Sequence, residues 1–261
     1  MRLFACMCNQ PQRLPEAIAP VRASLVAAPP VSRWGLGYVQ GGEVLLVRTP
    51  RPSSTPVDLY EAMARIQSDC VIGHAVSDRR FAGTDNTPPF RFRRWMFAQT
   101  GQARVDEVWP ALIESVPDYL RRNVKGKTSA ELTFHVTLAM LHDAGGVDDP
   151  NLPLATMRAS LASAVKLVAS HLRKAGVEEP LGNVVMSNSR ALVAARLGVP
   201  LYLRRLHVPG ERRERDETFR GVLLLAADGP HPGEGFEEVP EGSAVMVSRD
   251  LRVDMAPLES A

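Results

Sequence analysis

Strand-length apolar runs occupy both ends of the chain and helix-period segments occupy its middle, an order that excludes a simple doubly wound sheet. The N-terminal part carries RLFACMC at 2–8, then GLGYVQ and EVLLVRT on either side of the Gly41-Gly42 pair, a two-residue hairpin signal. A short helix is expected over Pro15–Ala27 and another over Val57–Ser68, followed by a buried strand, DCVIGHAV, at 69–76 and a further strand, RRWMFAQT, at 93–100. In the middle, Val105–Asn123, Ser129–Ala144 and Pro153–Ala175 show helical spacing, the second opening on a capping box at Thr128 to Glu131. Strand patterns return at 183–189, 191–197, 201–208, 219–227 and 243–254. This order suits an α+β fold in which helices pack against antiparallel sheets. No repeat, low-complexity segment or boundary interrupts it, so residues 1–261 read as one domain.

Composition narrows the function classes. Apolar residues make up 45% and charged residues 23%, the proportions of a folded globular chain. A net charge of +2 does not make nucleic acid the default partner; the basic runs RFRRW at 91–95 and RRERD at 212–216 read as solvated faces or rims rather than phosphate readers. No apolar stretch approaches the roughly 20 residues that span a bilayer, and the start lacks a signal-like apolar run, so a cytoplasmic location with no membrane contact is expected.

Cys6, Cys8 and Cys70 are an odd set and are read as unpaired thiols. Their spacing with His74 is that of alternating strand positions rather than a zinc knuckle, so neither a metal nor a cofactor is expected, and the thiols read as small core residues. A Cys70, His74 and Asp78 set shares one strand face, yet Cys70 and His74 would stand ~13 Å apart, too far for proton transfer.

Eight segments in series carry a resemblance: RLFA at 2–5, WGLGY at 34–38, GHA at 73–75, DNTPPF at 85–90, RRWMFAQTG at 93–101, GKTSAE at 126–131, SNSRALVAARLG at 187–198 and VPEGSAVMVSRDL at 239–251. In this order the chain resembles the class II glutamine amidotransferases, in particular the stand-alone branch that includes the ergothioneine-pathway γ-glutamyl hydrolase. The resemblance implies the N-terminal nucleophile hydrolase fold, a four-layer αββα sandwich of two antiparallel sheets. It also implies a mechanism in which an N-terminal cysteine thiolate attacks the glutamine side-chain amide and its own α-amine acts as general base.

Matched position by position, this chain departs from that pattern at each chemical step. RLFA follows Met1 directly, so a thioether stands at the nucleophile's place. The family's His-Asn-Gly reads Gln99-Thr100-Gly101, which replaces an oxyanion amide donor by a hydroxyl. His-Val-Arg reads His74-Ala75-Val76, without the arginine that clamps the substrate α-carboxylate, a role Arg79 or Arg80 would have to take over. Thr-Asp-Ser-Glu reads Thr128-Ser129-Ala130-Glu131, without the aspartate that holds the substrate amine, and Gly-Trp-Gly reads Arg33-Trp34-Gly35. The expectation is a retained scaffold with a degenerate pocket at Met1, Trp34, His74, Val76, Gln99, Thr100, Gly101 and Ser129. Such a chain would be a pseudoenzyme acting through another protein, with a residual small-molecule pocket as a further possibility. The competing expectation is an active glutamine amidotransferase or γ-glutamyl amidohydrolase that uses Cys6 or Cys8 as nucleophile.

Overall fold

The run RLFACMC alternates two kinds of buried side chain, and in the computed structural model, which describes residues 1–208 and 218–258, these enter two different cores. The basic run at 212–216 lies outside the described residues. In chain order the elements are strand β1 (Arg2–Cys8), helix α1 (Leu14–Ile18), and strands β2 (Val26–Ala27), β3 (Arg33–Gln40), β4 (Glu43–Thr49) and β5 (Val57–Asp58). Helix α2 (Leu59–Met63) and strands β6 (Cys70–Val76), β7 (Phe90–Phe92) and β8 (Trp95–Gln99) follow. Helices α3 (Trp109–Glu114), α4 (Asp118–Arg121), α5 (Ser129–Asp143) and α6 (Leu154–Lys174) fill the middle. Strands β9 (Val184–Ser187), β10 (Leu192–Ala195), β11 (Leu201–Leu206), β12 (Gly221–Ala227), β13 (Glu237–Glu238), β14 (Ser243–Val247) and β15 (Val253–Pro257) complete the chain.

One sheet has the order β13-β11-β12-β1-β6-β3-β4, the other β15-β14-β10-β9-β8-β7, and every pairing is antiparallel. Leu3, Ala5 and Met7 of β1 meet Met96, Ala98, Val185 and Ala194 of the second sheet in the core between the sheets. Phe4, Cys6 and Cys8 face the other way, under Leu14, Ile18, Leu25, Leu59 and Met63. The second sheet turns Trp95, Phe97, Val184 and Met186 toward Phe134, Leu138, Leu161 and Val168 of α5 and α6. These three cores separate four layers, the αββα sandwich expected from the sequence.

The elements differ from the sequence reading where proline or a side-chain cap intervenes. The expected helix over 15–27 is a turn of α-helix followed by a 3-10 segment, Ala19–Leu25, with Pro20 near its start. Val105–Asn123 divides into α3 and α4, which Pro117 separates. The helix over 57–68 is confined to α2, capped by Asp58, whose carboxylate accepts from Glu61 N at 3.1 Å. The pattern at 243–254 is a hairpin, folded back at Leu251 with φ 63° and by Ser248 Oγ, which accepts from Arg252 N. At α5, Thr128 Oγ1 accepts from Glu131 N at 3.2 Å, but Glu131 reaches past the cap to the Lys125 and Gly126 amides, at 2.9 and 2.5 Å. Gly73 of the GHA motif gives the Phe4 ring its place: a Cβ there would stand 2.1 Å from Phe4 Cε1.

Candidate functional site

Strand direction gathers most of the suspected positions at one end of the sandwich. β1 begins where β6 ends and β3 begins, in the register Arg2↔Ala75 and Arg33↔Val76. The second sheet and α5 reach the same end through the segments after β8 and before α5: Arg33 Nη2 lies 3.5 Å from Gln102 Oε1, Arg33 Nε donates to Asn86 O at 2.9 Å, and Asn86 Oδ1 accepts from Lys127 N at 2.8 Å. Met1, His74, Val76, Thr100, Gly101 and Ser129 therefore belong to one neighbourhood.

Arg33 dominates it. The side chain is 1% exposed and lies on the same face of β3 as Gly35 and Gly37, the face turned to the second sheet, where Gly37 meets Met96. Its guanidinium also donates to the carbonyls of Asp78 at 2.6 Å and Phe81 at 2.8 Å, so the charge is met by loop carbonyls, with no carboxylate in contact among the described residues. Burial lowers its pKa, opposed by the charge of Asp78. This one side chain ties residues 78–86 and 102 onto the end of the sandwich. Sequence reasoning noted the exchange of glycine for arginine here, but the loop carbonyls that receive the guanidinium have no sequence signature. Arg80, considered as a replacement clamp, is held by Asp78 at 2.7 Å and by the Gln102 carbonyl, while Arg79 is exposed.

His74 is fully buried on the same inter-sheet face, paired across the strands with Leu3 and Gly35. Neither ring nitrogen has a partner among the described residues. Burial first, then the positive charges of Arg33 and the Met1 ammonium, lower its pKa from 6.5 to about 3, so the ring is neutral. The Met1 ammonium itself donates to both oxygens of Asp228, at 2.8 and 3.0 Å, and Arg2 Nη1 donates to the Asp228 carbonyl at 3.0 Å. Asp228 is a contact that sequence reasoning missed; the signal available was the strand run at 219–227 that ends beside it.

At the end of β8, Thr100 continues the ladder to β9: its amide donates to Asn183 O and its hydroxyl accepts from Asn183 N, both at 2.9 Å. Gly101 is pressed against the facing segment, where a Cβ would stand 1.9 Å from Leu181 O, and a Cβ on Gly182 would stand 2.3 Å from the Gly101 nitrogen. Gln99 points into the helix-facing core instead, with Nε2 donating to Leu181 O at 2.7 Å and Oε1 without a partner among the described residues. Trp34 packs on the outer face of the first sheet. Neither side chain joins the inter-sheet neighbourhood. Ser129 is the first residue of α5, its hydroxyl buried without a partner among the described residues. Val76 is buried beside Arg33 and offers no charge.

The thiols are elsewhere. Cys6 and Cys8 lie on the outer face of β1 under α1 and α2; burial raises the Cys6 pKa well above its ordinary value and pushes Cys8 up to about 12. Cys70 faces the second sheet, opposite Met7 at the far end of β1, with Sγ 3.3 Å from Ser187 Oγ and its pKa pushed up to about 12 by burial. Among the described residues no three His, Cys, Asp or Glu side chains come together as a metal-binding group, and no helix is long and apolar enough to cross a membrane.

Comparison with known proteins agrees with the geometry at the level of fold. No family model and no curated protein matches the chain. Solved structures do. A glutamine aminotransferase class-II domain protein from Silicibacter pomeroyi superposes with TM-score 0.64 at 16% identity, over 98% of this chain and 99% of that one. A predicted glutamine amidotransferase from Pseudomonas aeruginosa gives 0.57 at 17% identity, over 97% and 99%. Glutamine phosphoribosylpyrophosphate amidotransferase from B. subtilis gives 0.57 at 10% identity, over all of this chain and 50% of that one. The chain thus has the fold of the class II glutamine amidotransferase domains it superposes on, a four-layer αββα sandwich.

Proposed function

We propose that this chain is a catalytically inactive counterpart of the class II glutamine amidotransferases, acting as a binding, regulatory or assembly subunit for another protein. The observation that carries the reading is the placement of all three thiols. The nucleophile's place in the resemblance is at the start of β1, on the inter-sheet side, where this chain has the Met1 thioether. Cys6 and Cys8 are on the opposite face, and Cys70 is about 20 Å along the strand. Burial holds each as a neutral thiol, which is neither the nucleophile nor the metal ligand that a thiolate would be. Val76 and Ser129 supply no charge for an amino-acid carboxylate or ammonium, and Arg33 is fully engaged with loop carbonyls. A retained fold without these groups suits recognition of a partner rather than turnover.

The test is a glutaminase and γ-glutamyl hydrolase assay on the native protein, with mass spectrometry of its N-terminus and thiol labelling under native conditions. No turnover, an intact Met1, and labelling only after unfolding are expected. Turnover abolished by Cys6→Ala or Cys8→Ala would refute the proposal.

A further inference from the structure

The end of the sandwich opposite Met1 carries a different kind of chemistry. Because β14-β10-β9-β8 are successively antiparallel, the β7–β8, β9–β10 and β14–β15 turns all emerge at this end, and each contributes one arginine, Arg94, Arg190 and Arg249. They line a cavity of about 410 Å³, closed on the other side by the C-terminal end of β1, the β3–β4 hairpin turn and the segment before β6. Arg190 donates to the neutral Asn151 Oδ1 at 2.6 Å, and among the described residues none of the three guanidiniums has a carboxylate within ion-pair distance. Asp69 is the single acidic residue of the lining, which leaves the cavity two positive charges in excess. Gln40 and Gln67 add neutral amides to the wall. Arg94 belongs to the basic run read from the sequence as a solvated face or rim, and its turn places it in the lining of this cavity.

Arginines that line one cavity from three turns with no ion-paired carboxylate among the described residues, Arg249 close enough to Asp69 only to feel its charge, are matched by an oxyanion, since each guanidinium is a planar fork of donors. An excess of two charges is balanced by a dianion, which at neutral pH a phosphate monoester is and a single carboxylate is not. The cavity is larger than a bare ion needs and falls in the size range of small-ligand pockets. Asp69 and the two glutamines then face the rest of the ligand as acceptors and donors for hydroxyl groups. We propose that this cavity binds a small hydroxylated phosphate monoester, its phosphoryl group among Arg94, Arg190 and Arg249 and its body against Asp69, Gln40 and Gln67. The site lies about 20 Å from Met1 along β1 and does not depend on whether the Met1 end is catalytic.

Calorimetric titration of the full chain at constant ionic strength tests this, with glycerol 3-phosphate as the probe and glycerol and inorganic phosphate as comparisons. Saturable binding of glycerol 3-phosphate, none of glycerol, and weaker binding of inorganic phosphate are expected. Arg249→Gln and Arg190→Gln should each weaken binding about tenfold or more, the loss of one charge-assisted pair. Arg249 is exposed and its Gln variant should melt at the wild-type temperature, which separates loss of the site from loss of the fold. Arg22→Gln, at an exposed ion pair with Asp58, should leave binding unchanged. No saturable binding, wild-type affinity in both cavity variants, or inorganic phosphate binding as tightly as the ester would overturn the proposal.

Discussion

His74 should make this protein acid-sensitive in a specific and measurable way. Its neutral ring is buried without a partner among the described residues, and its folded pKa is about 3 against an ordinary 6.5. A depressed histidine pKa means that the unfolded chain binds the proton first. Its stabilising contribution is therefore complete above about pH 6.5 and is lost as pH falls toward 3. Integrating that difference gives a loss of about 2 kcal/mol between about pH 7.5 and 5, about 3 kcal/mol by pH 4, and a limit near 5 kcal/mol below the folded pKa. The perturbation that isolates it is His74→Leu, which keeps a buried side chain of similar bulk and removes the titration. Urea unfolding of both proteins across this pH range reads the effect directly. Wild type should lose about 2 kcal/mol more than the variant on going from pH 7.5 to 5, and at pH 7.5 the variant should be as stable or more so, because two orphaned ring nitrogens are gone. Identical pH dependence in the two proteins, or a His74 ring that titrates near 6.5 by NMR, would refute the reasoning.

Two further substitutions address the same end of the sandwich. Arg33→Leu should cost about 2–4 kcal/mol by leaving the Asp78, Phe81 and Asn86 carbonyls without their donor, and limited proteolysis should then cut within 77–87 at protease concentrations that spare wild type. Gly101→Ala should destabilise by about 1–3 kcal/mol or more, because the added methyl meets backbone rather than a flexible side chain; thermal melting checks it, and an unchanged melting temperature would show that the Pro180–Gly182 segment yields.

The layered fold was legible because periodicity carries it. Strand runs that alternate or stay apolar, the Gly41-Gly42 turn and the two long helices all appear at their expected places. What failed were extents, at Pro20, Pro117 and Asp58, where a local stop overrides a continuing apolar pattern. Site positions were legible only in part. Matching motifs placed Met1, His74, Val76 and Ser129 together, yet could not show that Gln99 and Trp34 project to other faces, which depends on strand parity. Nor could it show that Arg33 turns inward, because the carbonyls that satisfy it come from a loop with no periodic signal. Cys6 and Cys8 were read as small core residues, and they lie in the core beneath α1 and α2, a choice between two cores that the run RLFACMC alone does not make.

That parity also sets which kinds of genetic change the first strand accepts. β1 is hydrogen-bonded on both edges and buried on both faces, with odd-numbered side chains in one core and even-numbered ones in the other. A single-residue insertion or deletion within 3–7 would exchange the two sets, pushing Phe4 into space shaped for Leu3 or Ala5 and drawing its ring off Gly73. A change of side chain at Met1, which precedes the strand, disturbs neither core. Chemistry at Met1 is thus free to be altered one residue at a time, while the reading frame of the strand behind it is closed to change.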